Sequence, residues 1–171
     1  MSIKKHFRLS RGFTLVELLV VIAIIGILAT LLLLQLGVAR ARARDVKRIA
    51  DVNQLRTAVE LYFDDNAAHY PTAITIANLG KYLTANAVPV DPITVAAYFY
   101  AYNPATNPSQ FQVYTELEQK SASALSADAD INSSAWAGGN TIDASLAASE
   151  ACTAAYAAGT ARDCIYDQGQ K

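Results

Sequence analysis

An α+β protein is expected: a long N-terminal helix whose first half is apolar, packed through its second half against a small antiparallel β head. Three observations predict it. Residues 13–34 read FTLVELLVVIAIIGILATLLLL, no proline occurs before Pro71, and two alternating aromatic runs, AAYFYAY and FQVYTEL, flank the turn-rich NPATNPSQ. The chain is 53% apolar and only 17% charged, which excludes a disordered polyelectrolyte. Its net charge of −1 excludes a generally basic nucleic-acid binder. The charge is unevenly placed, however. Lys4, Lys5, Arg8 and Arg11 precede the apolar run without an acid, whereas 13 acidic and 5 basic residues follow position 50.

The apolar run comes first. As a helix it spans about 33 Å, close to the roughly 30 Å hydrocarbon thickness of a bilayer. A secretory signal peptide has a shorter apolar core of about 7–15 residues with its small-residue cleavage site behind it. Here Gly12 stands in front of the run. Glu17 is the informative residue, because an acid within a membrane helix costs about 3 kcal/mol near the centre and implies a function and a partner.

Helical periodicity continues past the apolar run. Ile49, Val52, Leu55, Val59 and Tyr62 recur at three- and four-residue steps with Phe63 beside them, a stripe for a head domain to pack on. One helix over about residues 13–65 is predicted. Lys47/Asp51 and Arg56/Glu60 read as i,i+4 pairs on its wetter side. Arg40, Arg44 and Arg48 share a face, with Arg42 and Lys47 beside it. This membrane-proximal basic cluster is expected to meet lipid headgroups; the alternatives are acidic residues of neighbouring heads and, disfavoured by the acidic head around it, capture of DNA.

The helix is expected to stop in DDNAAHYPT, where Pro71 forces Tyr70 out of helical geometry. A short helix is predicted near residues 76–84, then an extended VPVDP connection and a β-hairpin. In the hairpin Tyr98, Tyr100 and Tyr102 share one face of the first strand, and Phe111, Val113, Thr115 and Leu117 one face of the second. Beyond Lys120 the chain turns Ala/Ser-rich. Cys152 and Cys164 are the only cysteines; paired, they close a loop of about a dozen residues and contribute about 3 kcal/mol. Two free thiols are the alternative, and a disulfide suits an oxidising compartment. Catalysis has little support: His69 is the sole histidine beyond residue 6, and no phosphate loop or metal-ligand cluster accompanies it.

The stretch RGFTLVELLVVIAIIGILA resembles the class III signal of type IV pilins and type II secretion pseudopilins: a basic leader, Gly, Phe, a Glu four residues later and an apolar continuation. The resemblance implies a pilin-like fold and a structural protein, not an enzyme. A prepilin peptidase/N-methyltransferase would cut between Gly12 and Phe13 and methylate Phe13. Glu17 and Phe13 would serve subunit assembly, the carboxylate pairing with a neighbour's amine in a helical homopolymer. The head order, a long helix, YPT, a short helix, a PxDP connection and a Tyr-rich hairpin, is also similar to major pseudopilins up to about residue 118.

The implied divisions are a leader at 1–12, a membrane or filament-core half of the helix at 13–38, an amphipathic half at 39–66 and a head at 67–171. The implied partners are the peptidase, an assembly platform with minor pilins, and membrane lipid before assembly. The leader would be cytoplasmic and the head extracytoplasmic. A pilus subunit is the first expectation and a secretion pseudopilin the second. A non-polymerising anchored module in DNA uptake is the third, and a mere anchor has no need of Glu17. Many pilins carry a proline where this chain has Leu34, although Gly26 and Gly37 still weaken the helix by about 1 kcal/mol each relative to Ala. No cofactor is expected. Some major pseudopilins bind calcium after the hairpin, and Asp128, Asp130 and Asn132 have the D-x-D-x-N spacing of a calcium loop. Ser133 and Gly139 stand where that loop's turn glycine and bidentate glutamate belong, so an ordinary polar loop is expected there.

Overall fold

The computed structural model describes residues 12–146, 149–152 and 163–171. The basic residues of the leader, Lys4, Lys5, Arg8 and Arg11, lie outside the described residues. Two compact units are distinguished, with the boundary between Ala39 and Arg40.

Helix α1 is Leu15–Asp65. Its part within the first unit is apolar all round, and residues 12–33 and 35–39 are all exposed. Such a surface has no stable place in water and calls for lipid or other protein chains.

In the second unit α1 becomes amphipathic. Val52, Leu55, Ala58 and Val59 are buried, with Ile49, Tyr62 and Phe63 packed at the margin of the same core. Opposite them stands one face of a four-stranded antiparallel sheet, order β3-β1-β2-β4. Its strands are β1 Phe99–Asn103, β2 Gln110–Glu116, β3 Gly138–Gly139 and β4 Ile165–Gln170. The register pairs Tyr100 with Val113 and Tyr102 with Phe111 across the hairpin, and Val113 with Gln168 across β2 and β4. Alternation then sends Tyr98, Tyr100, Phe111, Val113 and Tyr166 to the helix, as period two requires. The opposite face carries a smaller cluster of Phe99, Tyr114, Ala144 and Ile165, with the two rings stacked at 5.0 Å.

The long helix, the hairpin and its alternation stand as expected. The short helix does not run to residue 84. Helix α2 is only Ile76–Leu79, capped by Thr75 Oγ1, which accepts from Asn78 N at 3.3 Å; two 3-10 turns, Gly80–Tyr82 and Thr84–Asn86, follow. A further short helix, α3 (Ala122–Leu125), opens the Ala/Ser-rich region and buries Leu125. The expected Arg56/Glu60 pair is replaced by contacts to the head. Arg56 donates to Gln168 Oε1, and Glu60 accepts from the Tyr70 hydroxyl.

The end of α1 shows how the chain turns back. Ala68 N donates to Phe63 O at 3.2 Å, a Schellman-type closure that places Ala67 in the left-handed region at φ 54°. That position ordinarily takes glycine, because a Cβ is disfavoured there. The turn delivers Tyr70 between Phe63 and Phe111, with ring centroids 4.4 and 4.6 Å away. Replacing Ala67 by Gly should raise stability by about 0.5–1 kcal/mol, read as a higher midpoint in urea unfolding with an unchanged slope.

Candidate functional site

Two places in the chain gather the residues that matter, the start of α1 and the junction of α1 with the head. At the start of α1, Thr14 is the N-cap. Its hydroxyl accepts from Glu17 N at 3.2 Å, while its own N–H and hydroxyl donate to Glu17 Oε2 at 2.9 and 2.7 Å. This reciprocal capping box satisfies orphan donors of the first turn and fixes the carboxylate at the helix N-terminus, where negative charge is favoured. Glu17 Oε1 remains without a partner among the described residues, so the carboxylate keeps acceptor capacity. Gly12 and Phe13 are exposed beside it. Thr14 was not among the residues singled out from sequence, although the T-x-x-E spacing states it.

At the junction the structure corrects the expected basic cluster. Arg48 is fully buried. Its Nε donates to Asp91 Oδ2 at 2.6 Å, and its Nη1 to Asp45 Oδ1 at 2.8 Å and Glu118 Oε1 at 2.6 Å. Arg44 Nε donates to Glu118 Oε1 at 2.7 Å. Lys47 pairs with Asp51, which also accepts from the Tyr98 hydroxyl at 2.7 Å. Asp45 accepts the backbone N–H groups of Glu118 and Gln119, both at 2.9 Å. Arg44 and Arg48 are therefore engaged by the head, while Lys47 pairs with Asp51 on its own helix and stays exposed, as do Arg40 and Arg42. The cause is that Asp91 and Glu118, distant in sequence, converge on the same helical face and supply the counter-charges a buried guanidinium requires.

Electrostatics follow from this geometry. Burial alone would raise the Asp91 carboxyl, but Arg48 and the N–H groups of Thr94 and Ile93 outweigh it and pull it down to about 2. Glu118 is lowered too, first by its hydrogen bond to Arg44 and then by Arg48.

Cys152 and Cys164 form the expected disulfide. The Asp163 carboxylate accepts from both Cys152 N and Cys164 N. The proposed calcium triplet is not assembled as spaced. Asn132 donates to Asp143 and accepts from Ser134, closing a local turn. Asp128 and Asp130 instead converge with Glu150, their carboxylate oxygens lying within 4.8 Å of one another, and among the described residues these three could hold a cation. Burial and the neighbouring charge of Asp167 push Asp128 up to about 7. Asp167, buried beneath them, accepts from the N–H groups of Asp130 and Ile131 and from Gln112.

Residues 7–33 match the family model described as the prokaryotic N-terminal methylation motif. The type IV wide pilus major component PilA4 of Thermus thermophilus is 38% identical over 93 residues, covering 54% of this chain and 71% of that protein. The chain belongs to the type IV pilin and pseudopilin family. The type IV major fimbrial protein FimA of Dichelobacter nodosus is 36% identical over 90 residues, covering 49% of this chain and 58% of that pilin. Core protein G of the Escherichia coli type II secretion system is 45% identical over 62 residues, covering 36% of this chain and 42% of that pseudopilin. The match thus spans about half the length of these last two relatives. No solved structure matches the chain. Family membership makes this a structural subunit, and it accounts for an apolar helix start with a single acid in its first turn.

Two outcomes are expected of the head. Arg48→Met should cost about 3–5 kcal/mol at neutral pH, since three carboxylates lose their buried cation. In the native chain the lowered Asp91 and Glu118 contribute stability above their ordinary values of 3.8 and 4.5, lost as pH falls toward 2. Unfolding midpoints across pH 2–7 should therefore fall in acid for the native chain and much less for the variant. Asp128 has the opposite sign: its contribution is present below pH 3.8 and lost as pH rises through about 7. Asp128→Asn should accordingly stabilise the head at pH 8 in chelator, with no gain at pH 4.

Proposed function

We propose that this chain is the structural subunit of a type IV pilus-like filament. In this reading a prepilin peptidase/N-methyltransferase cuts between Gly12 and Phe13 and methylates the new amine. The capping box at the head of an apolar helical stretch, exposed at 12–33 and 35–39, carries the reading. An α-amine has a pKa of about 8 and is mostly protonated at neutral pH. Glu17, hydrogen-bonded to Thr14 at the helix start, offers its other carboxylate oxygen to the amine of a neighbouring copy. In a water-poor environment that attraction is far stronger than in water, provided both charges are desolvated together. The apolar faces of successive helices then cover one another as they leave the lipid.

The apolar helix is long enough to cross a bilayer, which supports a membrane-inserted precursor. The disulfide supports an oxidising compartment for the head, and so a cytoplasmic leader. An assembly platform and minor pilins complete the set of partners. A second reading, a type II secretion pseudopilin, draws support from the resemblance to core protein G.

Intact mass and N-terminal sequencing, in cells with and without the peptidase, test processing. The expected product starts at Phe13 and carries one added methyl only when the peptidase is present. Glu17→Ala should be processed normally yet yield no filaments by shearing and electron microscopy, and normal filaments from it would refute the pairing. Shearable surface filaments in the wild type favour a pilus. Loss of protein export on deletion, without surface filaments, favours the pseudopilus.

A further inference from the structure

Most of the charge at residues 44–48 is neutralised within the chain. Arg44 meets Glu118, Lys47 meets Asp51, and Arg48 meets Asp45, Asp91 and Glu118. Arg42 and Lys120, by contrast, make no ion pair among the described residues. They come from α1 and from the chain after β2, yet both line one hollow of about 250 Å³, together with Val46, Ile49, Gln119 and Ser121. Arg42, Val46 and Ile49 recur at steps of four and three residues and so share a face of α1. The wall opposite is fixed by Asp45, whose Oδ1 accepts from Glu118 N and whose Oδ2 accepts from Gln119 N, both at 2.9 Å. Asp45 also lines the hollow, but buried Arg48 donates to its Oδ1 and offsets its charge. Glu150 feels the Lys120 charge through space without pairing with it.

The lining asks for an anion that carries an apolar part. Two cations and the Ser121 hydroxyl offer donors, while Ile49 and Val46, the latter 67% exposed, offer an apolar wall. A phosphate suits Arg42, whose planar guanidinium presents paired N–H donors and stays charged throughout the working pH range. The hollow is smaller than the roughly 300–1,000 Å³ that encloses a whole small-molecule ligand, so it takes a headgroup and leaves acyl chains outside. Position in the chain selects the source. Arg42 comes three residues after Ala39, which closes the exposed apolar stretch, less than one helical turn. A lipid supplies both the phosphate for the hollow and the hydrocarbon that the preceding residues call for.

We propose that the hollow between α1 and residues 119–121 binds the phosphate of an anionic phospholipid. Arg42 and Lys120 hold its oxygens, and Val46 and Ile49 cover the glycerol end. The site rests on the membrane-inserted precursor of the filament reading and gives that precursor a defined lipid. It differs from a diffuse basic cuff in that one cation comes from the head, and exposed Arg40 does not line it.

The full, uncut chain in non-ionic detergent, offered equal amounts of phosphatidylglycerol and phosphatidylcholine, tests this, with bound lipid read by native mass spectrometry. Phosphatidylglycerol should be retained in preference. Arg42→Gln and Lys120→Gln should each weaken its retention about fivefold, the effect of one cation near a lipid surface. Arg40→Gln should leave it unchanged, and inorganic phosphate at the lipid's concentration should not displace it. Urea midpoints check that each variant is folded. Equal retention of the two lipids, equal loss in all three variants, or displacement by inorganic phosphate overturns the site. Loss of the lipid whenever the chain dimerises, with an acidic group of a second copy in its place, overturns it too. Filaments sheared from cells judge the other reading separately: filaments without lipid selectivity leave that reading standing, and selectivity without filaments leaves the lipid site standing.

Discussion

The head is held to its helix by one buried cation. Arg48 joins three stretches that share no local sequence: its own turn through Asp45, the loop before β1 through Asp91, and the chain after β2 through Glu118. An apolar stripe such as Val52, Leu55 and Val59 favours contact with the sheet but discriminates weakly between neighbouring registers, since a slip of one helical turn presents similar residues. A guanidinium with three carboxylates around it has one arrangement that avoids a stranded charge. Exchanging such a group for well-packed apolar residues is often neutral for stability, whereas removing one partner alone strands the remaining charges. The Asp91 loop, the exit of β2 and the Asp45 backbone contacts all take their positions from this cation.

The two units of the chain treat their apolar side chains differently. In the second, a conventional core of helix stripe and sheet face excludes water, and the aromatic stack of Phe63, Tyr70 and Phe111 closes it at the helix end. In the first, the apolar side chains at 12–33 and 35–39 are exposed among the described residues. What the first unit does satisfy is its backbone: the Thr14–Glu17 box ties off the helix start, where unpaired N–H groups would be costly in hydrocarbon. In the proposed filament reading, partners for these side chains would come from outside, as lipid and as further copies.

Much of this was readable beforehand where the signal is local. Apolar run, helical stripe and alternating tyrosines are periodic within a few residues, and α1, β1 and β2 follow. Strands β3 and β4 were not readable. Gly138–Gly139 offers no side-chain pattern, and IYDQGQ is a polar segment that becomes a strand because the β2 edge templates it. The same divide runs through the functional residues. Gly12, Phe13 and Glu17 stand in a compact motif, and Thr14 was there to be read in T-x-x-E. Arg48 was not, because a charged residue on a helix ordinarily faces water, and only the fold brings Asp91 and Glu118 to it. Glu150 joined Asp128 and Asp130 in place of Asn132 for the same reason: proximity in sequence lost to proximity in space.

Strand β4 pairs with β2 across some fifty intervening residues, Glu116 meeting Ile165 and Phe111 meeting Gln170. Loop closure of that length is entropically slow to achieve, and the pairing cannot begin until the last strand has been synthesised. Until then Gln112 and Thr115 line an open edge, and Cys152 waits as a thiol for a partner not yet present. The order of events is thereby set by the chain itself. The apolar helix, made first, stands complete while the sheet still waits for its last strand.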